Sequence, residues 1–229
     1  PIVKDKGSFI VSARRTYIDV LMKAFGKDSG RFSGSNYFFY DFNAKFNYRL
    51  SPKDKVYLSA YYGKDKFVFN NNAKDFTISM PWGNGVASLR WNHLFSNKLF
   101  MNVSANFSDY LFSFGSRQDN FIFDLKSGIR DYGSKIDFSW FPNNRHKVKW
   151  GADYTYHTFT PVSVSAQQDE TVFDTGLAQK LHSHESAVYL LDEFDVNENI
   201  RINAGLRYSM YQFVGPFTRY IHGIGTTGD

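Results

Sequence analysis

The chain has 229 residues, 42% hydrophobic and 19% aromatic, with a formal net charge of +5 and no cysteine. That length can support one sizeable core, while the missing cysteines exclude disulfides and cysteine-held metal sites. Mean hydropathy is −0.42, and no run of about 18 apolar residues occurs, which excludes a transmembrane helix but not a transmembrane barrel. Lys and Arg are scattered rather than clustered, so no nucleic-acid partner is expected.

In chain order, short polar turns stand at "KDKG" (4–7), "SPKD" (51–54), "FSNK" (95–98), "PNNR" (142–145) and "VNEN" (196–199). Pro, Asn, Asp, Lys and Ser suit tight turns. Between them lie stretches that read as longer, irregular loops: 24–36, 70–83, 114–119, 161–180 and 214 to the end. Strands are expected near 8–23, 37–50, 55–69, 84–95, 98–113, 120–141, 146–160, 182–195 and 200–213. The apolar parity is unclear around "SARRTYID", which suggests a bulge.

Alternation defines the faces, because a strand sends successive side chains to opposite sides. In "KLFMNVSANFSDYLF" (98–112), Leu99, Met101, Val103 and Ala105 share one parity, and Asn102, Ser104 and Asn106 the other. In the strand after "PNNR", Val148, Trp150 and Ala152 oppose Lys147, Lys149 and Asp153. In the strand after "VNEN", Ile202, Ala204 and Leu206 oppose Arg201 and Arg207. The charged face is too polar for a sandwich core, so the apolar set is expected to face lipid and the charged set a lumen. Val148 to Tyr156, tilted at about 45°, spans roughly 19 Å, close to the apolar band of an outer-membrane barrel. Aromatic residues near the strand ends (Phe95, Phe100, Trp140, Phe141, Tyr154, Tyr156 and Phe159) are expected to form the interfacial girdles.

The fold class expected is all-β: an antiparallel up-and-down transmembrane β-barrel, of which residues 1–229 supply about nine strands. The chain begins "PIVKDKG" and stops at "GIGTTGD", and both ends read as cuts in a longer protein. A β-propeller fits less well, since each repeat holds two long strands rather than four short ones.

The segments "GSFIVSARRTYIDVL" (7–21), "FYDFNAKFNYRLSPKDKVYLSAYYGKDKF" (39–67), "VKWGADYTYHTFTP" (148–161) and "YLLDEFDVNENIRINAGLRYSMY" (189–211) resemble the TonB-dependent outer-membrane receptors, in the form typical of Bacteroidetes. The resemblance implies a barrel of about 22 strands closed by an N-terminal plug. It also implies energised uptake of a scarce nutrient such as a metal chelate, vitamin, glycan or peptide, in the outer membrane of a Gram-negative bacterium. The implied partners are membrane lipid, the protein's own plug domain, the TonB complex and a surface lipoprotein. No cofactor and no enzymatic activity are expected. A passive porin and a soluble two-sheet binding module stay open beside it, as does an outer-membrane hydrolase using His93, His146 or His157.

His182 and His184 share a parity and are candidate metal ligands, although two local ligands do not complete a site. The adjacent Arg14 and Arg15 must face opposite sides, so one can point inward. The facing assignment makes a comparison: Ala152→Arg is expected to destabilise a membrane-inserted barrel more than Gly151→Arg.

Overall fold

The structure is a computed structural model that describes residues 6–25, 35–71, 74–174 and 179–215. These residues form one antiparallel sheet: β1 (Gly7–Arg15), β2 (Asn36–Arg49), β3 (Asp54–Asn71), β4 (Phe76–Ser96), β5 (Leu99–Gln118), β6 (Phe121–Trp140), β7 (His146–Gln168), β8 (Thr171–Asp174), β9 (Leu181–Asn197) and β10 (Ile200–Val214), with one helix, α1 (Ile18–Phe25). Strand order follows the sequence from β1 to β7, then β9 and β10, while the short β8 pairs with the end of β7. The meander is unclosed, with β1 and β10 at its edges.

The turns at 51–54, 95–98, 142–145 and 196–199 are the hairpins that polar turn residues specify. Asn143 shows the mechanism: its Oδ1 accepts from the backbone N–H of Arg145 at 2.9 Å and of His146 at 3.1 Å. Asn197 does the same for Asn199 and Ile200 at 3.0 and 2.9 Å.

Two expectations fail. The first is the strand over 8–23: β1 stops at Arg15 in regular register, without a bulge, and α1 follows. Ile18, Leu21, Met22 and Phe25 recur at the helical spacing i, i+3, i+4, i+7. Asp19 stands in the first helical turn, where a carboxylate complements the exposed N–H groups, and Arg15 Nη2 donates to it at 2.7 Å.

The second is the set of long loops. Most of 70–83, 114–119 and 161–174 is strand: "FTISM" and "VSVS" carry β-branched and aromatic residues, and Phe114–Gln118 pairs across its hairpin with "FIFDL" (121–125). The hairpin tips are short, and Asp75, Asp119 and Asp169 take left-handed φ of 44°, 48° and 53°, a conformation in which Asp is enriched. The tips are tied sideways: Asn120 Nδ2 donates to Asp169 Oδ1 at 2.6 Å. Pro161 has no N–H for the ladder, and there two residues of β7 oppose Ser127 in a bulge. Most of the loops at 24–36 and from 214 onward lies outside the described residues.

The sheet is a single layer. Among the described residues only Met101 and Ala187 are buried hydrophobics, whereas Leu206 is 83% exposed. A two-sheet module would pack these residues against a second layer, and the described residues form one sheet and no second layer.

Candidate functional site

Register fixes which side chains share a face, since directly paired residues point the same way. One row runs Leu58, Leu89, Ala105, Ser134, Tyr154, Ser186 and Met210, from β3 to β10. Leu99, Met101, Val103, Val148, Trp150, Ala152, Ile202, Ala204 and Leu206 stand on that same face. Lys147, Lys149, Asp153, Arg201 and Arg207 stand together on the other. Met101 departs from the exposure expected of the apolar set, because its register partners His93 and Phe138 cover it.

The apolar face is bracketed by polar rims. At the end that holds the four hairpins, Asp54 accepts from Ser51 Oγ at 2.6 Å and from Trp91 Nε1 at 3.0 Å, and lies 2.6 Å from His93 Nδ1. Bonds from Ser51, then His93, hold the Asp54 carboxyl down to a pKa of about 2. His146 pairs with Asp192 at 2.7 Å on the same rim. At the opposite end, Arg130 pairs with Asp109 at 2.8 Å, beside Lys64 on β3.

His182 and His184 belong to this second rim. His182 Nδ1 lies 2.9 Å from Tyr156 Oη, and His184 Nδ1 lies 2.6 Å from Tyr154 Oη. Their rings stack on the same tyrosines. Among the described residues no group of three or more His, Cys, Asp or Glu is placed to hold a metal ion. Two residues expected in the girdles stand elsewhere: Phe100 pairs along the row of Ser139 and Lys149, and Phe159 along the row of Ile129 and Leu181, both on the charged face.

The charged face is a network. Glu193 Oε1 and Oε2 accept from Lys149 at 2.5 Å and Lys147 at 3.2 Å. Arg207 donates to Asp153 at 3.1 Å. Tyr189 donates to Asp137, which also pairs with Lys135 at 3.2 Å. His157 sits between Asp131 at 2.8 Å and Glu185 at 3.3 Å. Arg14 pairs with Asp41 on this face, while Arg15 turns the other way. Gly151 is tightly held here. A Cβ would overlap the Ile136 carbonyl oxygen and meet Asp137 Oδ1 at 3.0 Å, so Gly151→Arg carries a packing cost of its own and does not isolate facing.

Beyond the second rim the polarity of the two faces inverts. On β5 the apolar parity runs through Phe107, then switches to Tyr110, Phe112 and Phe114 on the face that was polar. The same switch brings Phe67 and Phe69 of β3 and Trp82 and Met80 of β4 onto that face. The opposite face at this height carries Lys64, Lys66, Asp109, Lys126 and Arg130. Tyr37 stacks with Trp82 at 6.5 Å, and its hydroxyl donates to Asp65 at 2.8 Å. Met80, Trp82 and Phe114 fall in the expected loops; Phe67, Phe69, Tyr110 and Phe112 fall in expected strands, but the sequence reading missed the face they share. The parity change at Ser108–Asp109 was the available signal.

A single-layer, up-and-down antiparallel sheet with an apolar face bracketed by polar rims is the wall of an outer-membrane type of barrel. The family model described as TonB dependent receptor-like, beta-barrel, matches residues 20–222, and the chain belongs to that family. The family is one of transport receptors rather than enzymes. Among solved structures, the ferric preacinetobactin receptor BauA from Acinetobacter baumannii is 12% identical, with a TM-score of 0.57 over 91% of this chain. The chain spans 39% of that receptor's length. The ferric yersiniabactin uptake receptor FyuA from Yersinia pestis is 10% identical over 77% of this chain and 37% of its own, with a TM-score of 0.46. The ferric citrate transporter FecA in its unliganded form is 13% identical over 91% of this chain and 38% of its own, with a TM-score of 0.48. At 12% identity the likeness to BauA is one of fold. No curated protein matches the chain by sequence.

Proposed function

We propose that this chain is part of the barrel wall of an outer-membrane receptor that takes up a scarce nutrient, driven through TonB. The family membership supports this, and the observation that carries it is the banded apolar face on a sheet whose described residues form no packed core. On this reading Leu99, Val103, Ala105, Val148, Trp150, Ala152, Ile202, Ala204 and Leu206 contact lipid tails, and Met101 shares their face beneath His93 and Phe138. Lys147, Lys149, Asp153, Arg201 and Arg207 face the lumen, where a plug domain sits. The rim of His146 and Asp54 is periplasmic, and the sheet beyond Arg130 and Lys64 rises above the outer leaflet.

Residues 1–229 are one portion of the barrel domain. The plug, the TonB-contacting segment and further strands belong to the rest of the protein, and a Bacteroidetes-type receptor would add a surface lipoprotein over the mouth. The test is growth on, or uptake of, the nutrient by cells expressing the full-length protein, with and without a proton uncoupler. Uptake that stops with the uncoupler and with loss of TonB supports active transport. Uptake that persists identifies a passive pore.

A further inference from the structure

We infer that the wall above the membrane band binds a ring-bearing ligand without negative charge, an inference that rests on the reading of the polar face as the lumen. Tyr37, Phe39, Trp82, Tyr110, Phe112 and Phe114 form an aromatic panel on neighbouring strands β2, β4 and β5, with β3 between them. Tyr37 stacks with Trp82, and Tyr37 and Phe39 lie 6.2 Å apart. Trp82 pairs in register with Asp65 on one side and Phe112 on the other. Within the described sheet the panel has no second layer over it, and Tyr110 is 41% exposed. A contiguous aromatic face of this kind marks a surface that something covers.

Charge selects the occupant. On β3 to β6 above the row of Tyr110, Asp65 is the single charged residue on this face among the described residues. The cations at that height, Lys64, Lys66, Lys126 and Arg130, alternate to the opposite face. Arg14 is the cation beside Phe39, and it is committed to Asp41. Among the described strand residues of β2 to β6 at this height, an anionic chelate on this face would meet Asp65 and the negative faces of the rings and no uncommitted cation. An uncharged ring stacks on the same rings and is not repelled. Sugar rings and aromatic rings share that chemistry.

The experiment uses the purified full-length receptor in detergent, with its plug in place. The probes are fluoroindole, its carboxylate derivative and maltohexaose, with binding followed by fluorine NMR for the indoles and calorimetry for the sugar. Saturable binding of fluoroindole or maltohexaose is expected, weakened about tenfold by Trp82→Ala or Phe112→Ala. Trp82→Phe should retain it, which separates lost stacking from misfolding. The indole carboxylate should bind at least about tenfold more weakly than fluoroindole, and Asp65→Asn should narrow that gap. Fluoroindole binding without maltohexaose assigns the panel to aromatic ligands, and the reverse assigns it to glycans. Equal or tighter binding of the carboxylate overturns the proposal. So does failure of both uncharged probes, as when the plug covers the panel, or binding that Trp82→Ala leaves unchanged. Quenching of Trp150 but not Trp82 by brominated lipid, in single-tryptophan versions of the same receptor returned to vesicles, shows that the lumen reading stands when the ligand reading falls.

Discussion

At the scale of single residues, facing decides what a substitution costs. Ala152 lies mid-strand on the apolar face, paired with Ile136 and Val188. A charge there near the bilayer midplane costs about 2–4 kcal/mol. Gly151 is no control for it, because its backbone is closed in by Ile136 and Asp137. Thr155 serves instead: it stands on the charged face, paired with Gly133 and with Glu185, which can accept a new guanidinium. In the full-length protein folded into vesicles, urea titration should show Ala152→Arg losing about 2–4 kcal/mol and Thr155→Arg well under half of that. Equal losses would reverse the facing assignment. Asp54 makes a second prediction. Its folded pKa of about 2 lies below the ordinary carboxyl value, held there by Ser51 and His93. Its contribution to stability is therefore fully present above the unfolded pKa near 4 and is lost as pH falls from there through about 2. The stability difference between the native protein and Asp54→Asn should be flat above about pH 5 and shrink below pH 4. A difference that persists unchanged at pH 2 would contradict it.

At the scale of elements, close approach between strands is what a glycine permits. Gly151 of β7 faces Asp137 of β6 and Tyr189 of β9 in register, and Tyr189 donates to Asp137 across it. Adding only a methyl group forces the strands apart or breaks that bond. Gly151→Ala should therefore cost about 1–3 kcal/mol, the usual range for overpacking. Gly133→Ala, in the next row but one on the same face, meets nothing closer than Thr155 Oγ1 at 3.5 Å and should cost much less. Thermal unfolding of both variants in one detergent checks the order. If Gly133→Ala proves the costlier, the close packing at Gly151 is wrong.

At the scale of the whole molecule, the tryptophans report the bilayer. Trp91, Trp140 and Trp150 share the apolar face, while Trp82 stands on the other face above the rim. In vesicles containing brominated lipid, single-tryptophan versions of the full-length protein should show strong quenching at Trp150 and little at Trp82. Trp140, at the hairpin end of its strand, should respond best to bromines placed near the headgroup. Strong quenching at Trp82 would put the aromatic panel in lipid rather than on the lumen side above the membrane.

The sequence by itself determined the strand-turn-strand rhythm, the four hairpins at 51–54, 95–98, 142–145 and 196–199, and the division of Val148, Trp150 and Ala152 from Lys147, Lys149 and Asp153. Those features are local: a turn residue bonds its own neighbours, and parity needs no partner. The helix at Ile18–Phe25 was present in the spacing as well, but an alternating stretch ran directly into it and masked its start. Only the tertiary structure decided the registers. They align the parity switch on β5 with those on β3 and β4, and so turn separate aromatic residues into one panel. They also bring Tyr189 to Asp137, Glu193 to Lys147 and Lys149, and the Ile136 carbonyl against Gly151. Those contacts join residues 15 to 52 positions apart, and no local pattern of side chains encodes the offset at which two strands pair.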